Sequence, residues 1–99
     1  MTPARAALTG QAEDYLKAIY EIERDGDPAA TTAIAERLHI APASVSGMIR
    51  RLGRQGLVVV ERYRGARLTA KGRRVALQMI RRHRILESFL VTRLGFGWD

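Results

Sequence analysis

The chain has 99 residues, 46% of them hydrophobic, with no cysteine and a net charge of +7; this fits one small domain and excludes disulfides and thiolate metal sites. No apolar run approaches the roughly 18 residues needed to span a bilayer, and residues 1–10 lack the apolar centre of a secretory signal, so a soluble, cytoplasmic protein is expected. Residues 1–40 carry four basic and seven acidic residues, whereas residues 41–99 carry thirteen basic and three acidic ones (Glu61, Glu87 and Asp99), an asymmetry that points to a polyanionic partner for one face.

Residues 1–8 read as a loose arm. Thr9 or Gly10 opens a first helix that runs to about Arg24, with Tyr15, Leu16, Ile19 and Ile22 at helical spacing. Asp25, Gly26, Asp27 and Pro28 make a stop and a turn. Residues 31–40 predict a short second helix and a tight turn. Thr31 or Thr32 is its expected cap, Ile34, Ala35 and Leu38 face inward, and Ile40 plugs the turn. Ala35 is small where two helices cross. Residues 41–55 predict a third helix. Pro42 stands in its first turn, where a missing N–H costs nothing. Val45, Ile49 and Leu52 face the core with Met48 beside them, and Gly56 ends the helix.

Residues 57–60 read as a β-branched strand. Arg64 and Gly65 are the expected tip of a hairpin, with glycine supplying a positive φ. Thr69 caps a long fourth helix from about Ala70 to Leu94, with a stripe of Ala76, Met79, His83, Leu86, Leu90 and Leu94. There are no internal repeats. The expected fold class is mainly α with a small β-hairpin, a winged helix-turn-helix. Such a unit is built to lay one helix in a major groove.

The outward residues in the first half of the third helix are Ala43, Ser44, Ser46 and Gly47. Serine can bond base edges or phosphates, and small carbons can meet thymine methyls. No Asn, Gln or Arg stands in this half, so direct base readout is modest and DNA shape and phosphates matter more. Arg50, Arg51 and Arg54 lie toward the other end, within reach of phosphates. Arg62, Arg64 and Arg67 decorate the wing and could clamp the flanking backbone or minor groove. The start of the second helix, at Thr31 and Thr32, offers backbone N–H groups to a phosphate. Fifteen of the seventeen cations are arginine, which suits bidentate contacts. Any one of these arginines reads equally well as a solvated surface charge; the set together reads as a surface for double-stranded DNA. An enzyme is not expected: there are two histidines, no cysteine and no glycine-rich phosphate loop.

Several stretches carry a resemblance. They are residues 13–21 (EDYLKAIYE), 34–38 (IAERL), 44–46 (SVS), 56–60 (GLVVV), 68–72 (LTAKG) and 82–87 (RHRILE). Together they resemble the diphtheria-toxin-repressor family of iron- and manganese-dependent transcriptional repressors, over about residues 9–99. The resemblance implies a winged helix-turn-helix DNA-binding domain over residues 1–72. Over residues 73–99 it implies a connecting helix and the start of a truncated dimerisation domain, the family's remaining metal ligands falling beyond Asp99. It further implies a repressor of metal-homeostasis genes, a DNA operator as partner, a homodimer in the full-length regulator and no membrane partner. The alternative is a winged-helix regulator sensing an organic ligand.

Carried over residue by residue, the resemblance makes Asp14, His83 and Glu87 metal ligands, for Mn2+ or Fe2+, in a site incomplete within this chain. The residues alone leave other readings open. His83 and Glu87 share one helix face at i and i+4 and can chelate, but a lone histidine in an apolar stripe also reads as a packed core residue. Asp14 reads as a partner of Lys17, and Glu87 as a partner of Arg84. Asp14 stands where iron-type members have a softer methionine, which leans toward Mn2+. Lys17 stands where manganese-type members have a ligand glutamate, which leans the other way. Gly47 replaces a longer polar side chain, so operator preference does not transfer.

Overall fold

The first helix forms because its apolar residues fall three and four apart. Ala12, Tyr15, Leu16, Ala18, Ile19 and Ile22 are all buried on α1, Gly10–Arg24, as a helix that lays one stripe on a core requires. The computed structural model describes the backbone of residues 10–94 and the side chains of residues 10–85. The arm expected over residues 1–8, Thr9, the side chains of Leu86, Glu87, Leu90 and Leu94, and residues 95–99 lie outside the described residues. Tyr15 is fully buried, and burial pushes its hydroxyl pKa up.

Helix α1 ends at Arg24, and Gly26 takes a positive φ of 92°. The chain then passes Ala29, which is fully buried and forms an isolated antiparallel bridge with Ala66. Helix α2, Thr31–Leu38, begins differently from expectation. Its N-cap is Ala30, and no side chain caps it. Thr31 and Thr32 sit one and two residues inside the helix, so neither hydroxyl occupies the capping position. His39 closes α2 in the left-handed region at φ 57°, and Ile40 N–H donates to the Ala35 carbonyl at 3.0 Å. That bond makes the tight turn between α2 and α3, Pro42–Arg54. Pro42 takes the first helical position as expected, and Val45, Met48, Ile49 and Leu52 are buried.

Gly56, at φ 76°, turns the chain out of α3. The strand expected over residues 57–60 is observed one residue later, as β1, Val58–Glu61. Leu57 belongs to the turn instead: its N–H donates to the Leu52 carbonyl at 3.0 Å, and its carbonyl accepts from Thr69 N–H at 3.1 Å. Strand β2, Gly65–Leu68, pairs antiparallel with β1, from Val58 opposite Leu68 to Glu61 opposite Gly65. The tip is therefore Arg62, Tyr63 and Arg64, not Arg64 and Gly65. The left-handed residue within it is Tyr63, at φ 68°, a conformation that costs a side-chain-bearing residue about 1–2 kcal/mol. Gly65 has φ 105° as well, but a second constraint fixes it. A Cβ there would run into the Ala29 carbonyl, against which β2 is bridged.

Helix α4, Ala70–Leu94, starts on Thr69 as expected. The Thr69 hydroxyl accepts from Gly72 N–H at 3.0 Å and donates to the Gly56 carbonyl at 2.7 Å. Helix α1 packs on α4, α2 and β2; α2 packs on α3, and α3 on β1. One core runs through all of them, with Leu16, Ile19, Ile34, Val45 and Leu52 fully buried. Glu23 on α1 binds two other elements: its Oε2 accepts from Leu68 N–H at 2.8 Å, and its Oε1 pairs with Arg73 at 3.3 Å. Among the described residues no helix is long and apolar enough to cross a membrane.

At Gly72 an added Cβ would run into the Leu57 carbonyl. Elsewhere in a helix, glycine to alanine gains about 1 kcal/mol. Here the sign reverses, because overpacking costs about 1–3 kcal/mol. Gly72→Ala is expected to lower the urea midpoint; an unchanged or higher midpoint would contradict this close approach.

Candidate nucleic-acid interface and metal ligands

The α2–turn–α3 unit leaves one end of α3 bare. Ala43 and Ser44 are exposed, and Ser46 and Gly47 are half-buried. The same helix buries Val45, Met48, Ile49 and Leu52 against the core. Its outward row therefore consists of the small residues expected from the sequence. A Cβ on Gly47 would meet nothing within 4 Å, so this row has room for a longer side chain. Farther along, Arg50, Arg51 and Arg54 are exposed. Thr32 is exposed and Thr31 half-buried at the start of α2, where the first N–H groups have no partner within the helix.

The wing cations differ from one another. Arg67 pairs with Glu61 at 3.0 Å across the hairpin, so part of its charge is answered locally. Arg62 lies over the Tyr63 ring, 5.0 Å from its centre. Arg64 is exposed. Among the described residues, the ion pairs are Arg37 with Glu21, Arg67 with Glu61, and Arg73 with Glu23; Arg50, Arg51, Arg54, Arg62 and Arg64 have no carboxylate partner, and neither have Arg24 on α1 and Arg74, Arg81, Arg82 and Arg84 on α4. Unanswered positive charge thus stands on α3 and the wing tip and continues along α4. Three of the seven acidic residues of the first part of the chain gather elsewhere: Asp25, Asp27 and Glu36 line a surface groove of about 450 Å3 with Ile22, Ala33 and Arg37.

Asp14 stands exposed on α1, and His83 stands exposed on α4, two helices that pack together. The packed-core reading of His83 is not met, since its ring is turned to solvent. Glu87 follows four positions later on α4, and its side chain lies outside the described residues. Among the described residues no three histidine, cysteine or acidic side chains are gathered closely enough to hold an ion. The donor types of Asp14 and His83, one oxygen and one imidazole nitrogen, do suit a divalent ion such as Mn2+ or Fe2+.

Two features escape sequence reasoning. Glu23 gives no local signal, since its partners Leu68 and Arg73 are far along the chain. Tyr63 gives a faint one: an aromatic residue between two arginines at a hairpin tip.

The fold and the distribution of cations define the winged helix-turn-helix class. Comparison with known proteins carries this further. Residues 7–66 match the family described as iron dependent repressor, N-terminal DNA binding domain, and residues 69–99 match its metal binding and dimerisation domain. The chain belongs to this iron-dependent, diphtheria-toxin-repressor family. It is 38% identical over 92 residues to the diphtheria toxin repressor of Corynebacterium jeikeium, covering 93% of this chain and 38% of that protein. It is 40% identical over 82 residues to the HTH-type transcriptional regulator MntR of Shouchella clausii, covering 83% of this chain and 57% of the relative. A solved manganese-dependent transcriptional repressor in complex with manganese superposes with a TM-score of 0.76 at 45% identity, over 89% of this chain and 40% of that one. The chain thus spans between 38% and 57% of the length of these curated relatives.

Since Gly47 lies within α3 and its surroundings are open, Gly47→Gln is expected to stabilise the fold by about 0.5 kcal/mol through helix propensity. Thermal unfolding checks it, and a lowered midpoint would mean that the row is not free.

Proposed function

We propose that this chain is the operator-reading part of a metal-dependent transcriptional repressor of metal-homeostasis genes, with Mn2+ or Fe2+ as corepressor. The observation that carries this reading is the set of unpaired arginines, Arg50, Arg51, Arg54 and Arg64, on the third helix and wing tip of a repressor-family fold. Family membership supports a metal effector over an organic one.

In this reading α3 enters the major groove by Ala43, Ser44, Ser46 and Gly47. Arg50, Arg51 and Arg54 take phosphates. Arg62, Arg64 and, in competition with Glu61, Arg67 hold the flanking duplex. Backbone N–H groups at Thr31 and Thr32 meet a further phosphate. Residues 1–72 form the DNA-binding domain, and residues 73–99 form the connecting helix and the start of the dimerisation domain. The protein acts as a cytoplasmic homodimer, whose two reading helices meet two half-sites. Asp14, His83 and Glu87 supply part of the metal site. A metal held there would supply positive charge, which would favour the DNA-competent arrangement of the domains over others.

Two experiments test this reading. Each lost phosphate contact lowers the slope of log affinity against log salt by about one. Arg51→Ala with Arg64→Ala is therefore expected to weaken binding to all duplexes and flatten that slope by about two; an unchanged slope removes this face from the interface. For the metal, Asp14, His83 and Glu87 are at most half of the six or more ligands that hard ions take, so the 99-residue chain is expected to bind Mn2+ weakly by calorimetry. In the intact regulator Mn2+ is expected to raise operator affinity, and His83→Ala to abolish the gain. Tight Mn2+ binding by the 99-residue chain that survives His83→Ala would show that the ligand assignment is wrong.

A further inference from the structure

The wing tip combines three features that folding does not require. Tyr63 adopts the left-handed backbone region at φ 68°, where glycine or asparagine would sit without strain. It gains no burial in return, being 91% exposed. The Arg62 guanidinium carbon lies over its ring, 5.0 Å from the ring centre. The tip is nevertheless tightly fixed. Glu61 and Gly65 are the last strand pair, Arg64 N–H donates to the Glu61 carbonyl at 3.0 Å, and Gly65 abuts Ala29. Strain held by a rigid frame and unrelieved by packing marks a functional position.

We propose that Tyr63 is a positioning residue that holds Arg62 ready to enter the minor groove of duplex DNA beside each half-site, where it favours A·T base pairs. The inference rests on the DNA-binding reading above and extends it to a residue and a specificity. Stacking over the ring orders the guanidinium before binding. Glu61 is occupied by Arg67, so it does not draw Arg62 away. A narrow A·T minor groove has enhanced negative potential and attracts arginine. It is too narrow for a helix but admits side chains from a hairpin tip. The apolar sugar walls of that groove also suit an exposed phenol ring. The outward row of α3 is short of base-reading side chains, so discrimination at the flank adds what the major groove contact lacks.

The test is selection of bound duplexes from a random-sequence library by the intact protein in Mn2+, followed by titration of duplexes whose flanks are A·T or G·C. The wild type is expected to select a central half-site and to prefer A·T flanks on the order of tenfold. Tyr63→Phe keeps that preference. Tyr63→Ser reduces it to within about twofold, on the same scale, while the central sequence is still selected and the melting temperature does not fall. A central site selected with indifferent flanks, or a flank preference that survives Tyr63→Ser, overturns this inference and leaves the DNA-binding reading standing. Failure to select any sequence, central or flanking, overturns both.

Discussion

One junction holds α3, the wing and the long helix α4 in register. At Gly72 the first turn of α4 lies so close to the Leu57 carbonyl that no side chain fits between them. The Thr69 hydroxyl reaches from the helix cap to the Gly56 carbonyl, and Lys71 Nζ reaches the Gln55 carbonyl at 3.4 Å. The end of α3, the start of β1 and the start of α4 therefore meet at a single place. The carbonyls of Gln55 and Gly56, just past the last turn of α3, are taken up there by the cap and first turn of the next helix. Any tilt of α4 would pull on α3 and the base of the wing together.

A second tie works from the opposite side. Glu23 joins α1 to the end of β2 and to Arg73 on α4 through one carboxylate. Its bond to Leu68 N–H is partly buried, and leaving that donor without a partner would cost about 1–3 kcal/mol. The ion pair of Glu21 with Arg37 is exposed and contributes little by comparison. Five of the seven acidic residues of the first part of the chain divide in two, while Glu13 and Asp14 stand apart near the start of α1. Glu21 and Glu23 brace the fold, while Asp25, Asp27 and Glu36 line a groove. Neither group neutralises the arginines at the end of α3 or at the wing tip.

Much of this was legible in the sequence, because period and punctuation act locally. The stripe of α1, Pro42 at the start of α3, Gly56 after it and the Thr69 cap each follow from one short segment and one rule. What was not legible depends on distant partners. Thr31 and Thr32 are good capping types, yet Ala30 takes the cap position, since the preceding bridge of Ala29 to Ala66 sets where α2 begins. Leu57 looks like a strand residue, but its backbone bonds to Leu52 and Thr69 hold it in the turn. The wing tip was expected to use Gly65 for its turn. That glycine is needed against Ala29, and the left-handed position falls on Tyr63 instead. For the candidate site, the sequence marked out the cations but not which of them are answered by carboxylates within the fold. His83 on an apolar stripe left two readings open, and only its exposure on α4 removes the packed-core one.

The central claim is that α3 and the wing tip together form one duplex-DNA surface, separate from the acidic groove of α1 and α2. Mapping backbone amide chemical shifts during titration with duplex DNA tests it most directly. The account predicts shifts concentrated at Ala43, Ser44, Ser46, Gly47 and at Arg62, Tyr63 and Arg64, with Asp25, Asp27 and Glu36 unmoved. Shifts centred on the groove residues, with α3 and the wing tip silent, would contradict it.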